Sequence, residues 1–269
     1  MAKRLLVGSL LIAALVGIYF LDAQVLREPL ASRILLWLVA LAAMREVLTL
    51  GGRHVERSPG LSIFGGIAIV AVVVPSLVAG TIVPPVLLVI AALGAAVVRL
   101  LGMAPVVTAP RAWPEAALLG GGMLYVALPL SFLDQILVRD VSAGYVVVLV
   151  SKASDCCGYF VGTLLGRKRI APAVSPKKTW EGTIAAVLGA TGVAAIFEAA
   201  LPGTRLFAAA VGAMIGAASF AGDLLESGLK RWAGVKDSSE LLPEFGGFLD
   251  LVDGILLAAP VAVVCLYGA

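Results

Sequence analysis

Long apolar runs set the strongest limit on how this chain can fold. From Leu61 to Ala79 no charged side chain interrupts the sequence. Several such runs approach the roughly 18–20 residues that carry a helix across a bilayer. A water-soluble core has no need of runs that long, so the chain reads as a polytopic integral membrane protein. Its fold class is then an all-α helix bundle, because lipid leaves each segment to satisfy its own backbone hydrogen bonds. Composition agrees. Hydrophobic residues make up 61% and charged residues 14%, against about a quarter charged in an ordinary globular domain.

Hydropathy and turn residues predict about nine transmembrane helices, near 5–21, 30–50, 61–79, 82–101, 113–133, 143–165, 183–201, 205–227 and 248–267. The first run follows Lys3 and Arg4, as a signal peptide would. However, "FLDAQV" puts Asp22 where a cleavage site wants a small residue, so the run is expected to remain as a span. Most of the 20 Lys and Arg residues fall with the N-terminus and the loops after helices 2, 4, 6 and 8. Only Arg27, Arg33, Arg139 and Arg205 fall opposite, and Lys152 lies within a span. The positive-inside rule then puts the N-terminus and those loops in the cytoplasm and the C-terminus outside. The expected location is the inner (plasma) membrane of a bacterium. Two regions are expected: N-terminal transmembrane helices over 1–140, with few intramembrane charges, and a motif-bearing C-terminal region over 141–269. Glu46 and Glu115 fall near span ends, where reaching for the interface is the default expectation.

Some chemistries are excluded early. The single histidine, His54, sits in a polar loop, which removes His-based zinc sites and Ser-His-Asp catalysis. Cys156, Cys157 and Cys265 fit no disulfide framework and no CxxC pattern. No GxxxxGK[ST] sequence is present, so the chain is not a P-loop enzyme. No nucleic-acid partner is expected.

Polar residues gather in three places after residue 150. In "SKASDCCGYFVGTLLGRKR", Lys152 and Asp155 lie at membrane depth, which marks either a functional site or an internal i, i+3 ion pair. Gly158, Gly162 and Gly166 recur every four residues there and give a smooth face for close helix packing. In "GRKRIAPAVSPKKTWEGT", Arg167, Lys168, Arg169, Lys177 and Lys178 concentrate positive charge in a loop. They suit either an anchor on anionic lipid or a phosphate clamp. Ser175, Thr179 and Glu181 favour the clamp, since an anchor needs no such mixture.

The third place is "GDLLESGLKRWAGVKDSSELLPEFGGFLDLVDG", Gly222–Gly254. If helix 8 continues through it, Asp223, Glu226 or Ser227, and Lys230 share one face. Asp250 and Asp253 stand one turn apart at the start of helix 9. With Asp155 and Asp223 they offer four carboxylates for the cytosolic end of the bundle. Such a group repels itself and pays heavily for desolvation, which divalent cations relieve. Oxygen ligands without thiolates suit Mg²⁺. The competing expectation is a set of solvated helix ends, accepted for Asp237, Glu240 and Glu244. Nucleotidyl transfer needs metals bridging phosphate oxygens, bases neutralising the leaving pyrophosphate and an aligned nucleophile. The chain has material for all but the last.

These residues resemble the hallmark of the phosphatidate cytidylyltransferases (CDP-diacylglycerol synthases). That family's Ser, Lys-Arg, Lys-Asp, Leu-Pro-x-His-Gly-Gly and Asp-Arg-x-Asp pattern is similar to Ser227, Lys230-Arg231, Lys236-Asp237, Leu242-Pro243, Gly246-Gly247, Asp250 and Asp253, with each spacing kept. "SPKKTWEG" at 175–182 matches the family's loop, and Asp155 with Gly158 and Gly162 matches its preceding helix. The resemblance implies transfer of CMP from CTP to phosphatidic acid, giving CDP-diacylglycerol and pyrophosphate for phospholipid synthesis. It implies Asp223, Asp250 and Asp253 as metal ligands, with Asp155 a further candidate. Asp223, Lys230, Asp250 and Asp253 would carry catalysis. Lys178, Lys230, Arg231 and Lys236 would hold phosphates, with hydroxyl contacts from Ser175, Thr179 and Ser227. The Gly-rich faces together with the resemblance admit a homodimer.

Two positions depart from that pattern. Phe245 stands where the family has His, and Leu251 where it has Arg. One missing charged contact costs about 2–5 kcal/mol when buried, a loss that Lys152 is placed to offset. Two alternatives stay open: a related CTP-dependent transferase or kinase acting on another membrane lipid, and a non-catalytic membrane homologue or transporter. A transporter is expected to show inverted repeats and broken helices, and neither is evident.

Overall fold

The computed structural model describes residues 2–52, 61–79, 81–82, 84–102, 112–239 and 246–268. His54, Glu240, Glu244 and Phe245 lie outside the described residues, as do Leu242 and Pro243. Nine α-helices form among the described residues, as expected for an all-α bundle. They are α1 (Ala2–Phe20), α2 (Leu30–Gly51), α3 (Leu61–Val78), α4 (Pro85–Gly102), α5 (Ala112–Arg139), α6 (Val141–Leu164), α7 (Trp180–Ile196), α8 (Arg205–Trp232) and α9 (Phe248–Tyr267). Among the described residues, five helical segments are long and apolar enough to cross a membrane: Leu30–Gly51, Pro114–Arg139, Val141–Leu164, Arg205–Trp232 and Phe248–Tyr267. Large apolar side chains such as Leu38, Ile90, Leu188 and Val264 point outward. Lipid covers them where water would not. The protein is an integral membrane protein.

The described residues divide into two compact units. One draws on Met1–Val138 and Asp237–Leu249, the other on Arg139–Lys236 and Asp250–Ala269. In the first unit α1 runs into a π-helical turn, Leu21–Leu26. Buried Asp22 accepts the N–H groups of Ala31 and Ser32 at 2.9 and 2.8 Å. It thereby satisfies donors that the start of α2 leaves open. Arg33 is buried against Asp134 of α5, Nε to Oδ1 2.7 Å, and donates to the Thr81 carbonyl at 2.6 Å. Trp37 Nε1 donates to the same carboxylate at 3.2 Å. A charge this deep persists only when paired and hydrogen-bonded.

Glu46 and Glu115 do not reach for an interface: both are buried. Glu115 occupies the first turn of α5, where the helix N-terminus favours a negative charge. Glu46 is surrounded by donors from the segment between α8 and α9.

In the second unit, glycines set the distance between helices. A Cβ on Gly182 of α7 would stand 2.8 Å from the Gly158 carbonyl oxygen of α6 and 3.0 Å from Gly162 Cα. The smooth face read from the sequence is therefore the α6–α7 contact. Gly212 and Gly216 of α8 press on Ala190 and Ala194 of α7 in the same way. The charged loop between α6 and α7 is ordered as an antiparallel hairpin, β1 (Arg169–Ala171) with β2 (Ser175–Thr179). Its turn closes from Val174 N–H to the Ala171 carbonyl at 3.1 Å, with Pro172 at the second position.

Candidate active site

The polar side chains of the site come from α6, β2, α8 and α9. Backbone contact explains the convergence of α8 and α9. Gly222 has no room for a Cβ, which would meet the Asp253 carbonyl oxygen at 2.5 Å and Gly254 Cα at 3.2 Å. Gly254 in turn abuts Ser219 and Ser151, whose hydroxyls are hydrogen-bonded at 2.8 Å. With the two backbones this close, Asp223 and Asp253 share one space.

Carboxylate oxygens of Asp223, Glu226 and Asp253 lie within 4.8 Å of one another. Glu226 is wholly buried, and its Oε1 has no hydrogen-bond partner. A buried acceptor left in that state costs free energy, and three carboxylates so close repel each other. A hard divalent cation removes both penalties, and oxygen-only donors suit it. The residues present therefore fit such an ion.

Lysines flank the cluster. Lys178 Nζ, from β2, pairs with Asp223 Oδ2 at 2.7 Å without hydrogen-bond alignment, and stands 4.9 Å from the Phe220 ring centre. Lys230 pairs with Glu226 one turn away and donates to Asp250 Oδ1 at 2.6 Å. Lys152 donates to Asp155 Oδ2 at 2.8 Å and stands 4.0 Å from Asp253 Oδ1. The i, i+3 pair thus exists and also reaches the cluster.

Of the four aspartates gathered from the sequence, Asp223 and Asp253 come together, and Glu226 joins them. Asp155 and Asp250 are held against Lys152 and Lys230. Glu226 went unassigned as a ligand, although its spacing from Asp223 and Lys230 already put it on the right face. Ser227 Oγ approaches Asp223 Oδ1 at 3.5 Å. Arg231 spends two donors on the Val174 and Val235 carbonyls, at 3.2 Å each, tying the end of α8 to the hairpin turn. Thr179 is buried and caps α7, its hydroxyl accepting Gly182 N–H at 3.1 Å. Lys236 is exposed beyond α8. Leu251 sits in the first turn of α9.

Beside the acids opens a cleft of about 240 Å³. Asp155, Tyr159, Ser175, Lys178, Phe220 and Asp223 are among its walls. Cationic, hydroxyl, aromatic and carboxylate groups together in one cleft suit a phosphorylated ligand that arrives with a cation.

Residues 3–268 match the model of the cytidylyltransferase family. A phosphatidate cytidylyltransferase of Chlamydia trachomatis serovar D is 36% identical over 162 residues, covering 54% of this chain and 52% of that protein. One from Brucella suis biovar 1 is 40% identical over 167 residues, 59% of this chain and 58% of its own length. One from Haemophilus influenzae is 42% identical over 122 residues, 43% and 42% of the two chains. The matched segment spans about half the length of these curated relatives.

Proposed function

The chain belongs to the cytidylyltransferase family, and from that premise we propose that it transfers CMP from CTP to phosphatidic acid, forming CDP-diacylglycerol and pyrophosphate. The observation that carries this reading is the meeting of Asp223, Glu226 and Asp253 between Lys178 and Lys230. It is an acidic centre with its own cations, at the ends of helices apolar enough to span a bilayer.

A phosphate oxygen of the lipid attacks the α-phosphorus of CTP. The new P–O bond forms as the α–β anhydride bond breaks, and pyrophosphate leaves with the bonding electrons. A phosphate monoester is largely ionised at neutral pH, so no histidine base is needed. Asp223, Glu226 and Asp253 would hold Mg²⁺, which supplies charge neutralisation for the triphosphate. Lys178 is released from Asp223 as phosphates enter the cleft and pairs with them instead. Lys230 keeps Asp250 and Glu226 apart in charge and orients both. Ser175 adds a hydroxyl at the cleft wall. The hairpin side faces the cytoplasm of a bacterial inner membrane, as the distribution of Lys and Arg supports.

Labelled CTP incubated with purified protein, Mg²⁺ and a panel of lipids in micelles tests the assignment. Label entering the lipid phase with phosphatidic acid, and not with a polyprenyl alcohol or diacylglycerol, supports it. Transfer to an alcohol instead, or CTP binding with no transfer to any lipid, overturns it.

A further inference from the structure

Glu46 lies in the half of the chain to which no role in the chemistry has been given. Glu46 is 3% exposed, and among the described residues its carboxylate accepts four hydrogen bonds, from Ser238, Ser239 and the first turn of α9. Ser238 and Ser239 donate their hydroxyls at 2.9 and 2.7 Å. Phe248 and Leu249 donate their backbone N–H groups at 3.0 and 2.8 Å. These two amides open α9 and have no acceptor within their own helix. A capping side chain would ordinarily accept them. Gly247, in the capping position, has none, and a carboxylate from α2 fills that role. Gly247 also leaves no space for one, because a Cβ there would collide with Glu46 Oε2 and Ser238 Oγ. Gly246, at φ +85°, supplies the left-handed turn just before. Ser238, Ser239 and the start of α9 are thus fastened to one buried charge. The helix so started reaches Asp250 at the next residue and Asp253 one turn later.

We infer that Glu46 is a positioning residue: it clamps Ser238, Ser239 and the first turn of α9, the helix that carries Asp253 to the acidic centre and Asp250 to Lys230. The inference rests on the cytidylyltransferase reading for its kinetic consequence, but not for the clamp itself. Glutamine is a poor replacement, because it offers one acceptor oxygen and turns an NH₂ group toward donors.

The test uses the full-length protein in micelles, at a temperature where each variant is shown to be folded. In Glu46→Gln the turnover rate for CTP and phosphatidic acid is expected to fall about 10–100-fold, the range for outer-shell partners of metal ligands. The Mg²⁺ concentration for half-maximal rate is expected to rise. The KM for CTP should move much less, because Lys178 and Ser175 come from the hairpin. Thr49→Ala, on the same helix, should keep wild-type kinetics. A merely structural Glu46 would lower the melting temperature and leave the Mg²⁺ dependence alone, and that result overturns the inference. Should Glu46→Gln fail to fold, Ser239→Ala removes one of the four bonds and should shift the Mg²⁺ dependence in the same direction. An unshifted Ser239→Ala overturns the inference. If wild type proves inactive, the function fails while the clamp is judged by hydrogen exchange. The Phe248 and Leu249 amides should be protected in wild type and exposed to exchange in the folded variant, and equal exchange rates in the two overturn the clamp.

Discussion

Lys178, on the second strand of the hairpin, holds its Nζ 2.7 Å from Asp223 Oδ2 on α8. Under the proposed function, that cation would turn to an incoming triphosphate once a metal took over the carboxylate. Lys178→Gln should raise the KM for CTP and lower kcat/KM by roughly 30- to 1,000-fold, about 2–4 kcal/mol, as for truncated charge pairs at an interface. Lys178→Arg should recover part of it. Initial-rate kinetics over a range of CTP concentrations check both.

Lys152 meets Asp155 directly and Asp253 at longer range. Breaking a fully buried pair costs about 3–5 kcal/mol. The Lys152–Asp155 pair is about a third exposed, so about 1–3 kcal/mol is expected after solvent screening. Lys152→Met should therefore lower the melting temperature most in EDTA. Added Mg²⁺ should restore more of it than in wild type, because the ion replaces the lost positive charge. Thermal melts with and without Mg²⁺ measure the difference.

Gly222→Ala would drive a methyl group into the Asp253 carbonyl. Neither partner is a flexible side chain, so α8 and α9 must separate. Overpacking of this kind costs about 1–3 kcal/mol. The parted carboxylates should cost activity about 100-fold, as displacements of about 1 Å do elsewhere. Gly228→Ala, where a Cβ meets only Val174 Cγ1 at 3.8 Å, should be nearly silent in both assays.

Thr179 separates two roles by one substitution. Its hydroxyl caps α7, so Thr179→Ala should lose about 1 kcal/mol of stability. Thr179→Ser should keep the cap. If both variants bind CTP as wild type does, the hydroxyl serves the helix and not the substrate. Melting temperature and CTP titration together decide it.

The parts of this protein that were legible from sequence are those governed by local pattern. Apolar length announces the helices whatever they pack against, and the four-residue spacing of Gly158 and Gly162 announces a close helix contact, whose partner is α7. What escaped depends on partners distant in sequence. Ser238 and Glu46 are 192 residues apart, and nothing in α2 marks Glu46 as other than a helix-end acid. The hairpin is short and rich in Lys and Pro, so no alternation reveals its strands. Glu226 was visible on its helix face. Its place beside Asp253 depends on how closely Gly222 lets α9 approach. The family resemblance implies Arg231 as a phosphate ligand, and only the structure adds that its guanidinium donates to the Val174 and Val235 carbonyls.

The proposed reaction depends most directly on the acidic centre of Asp223, Glu226 and Asp253. Pyrophosphate release from CTP and phosphatidic acid, followed in micelles for wild type and Asp253→Asn across a Mg²⁺ titration, addresses it directly. Wild type should release pyrophosphate only with Mg²⁺, and folded Asp253→Asn should release almost none. Equal release by the two proteins, or release that persists in EDTA, would contradict the role given to Asp223, Glu226 and Asp253.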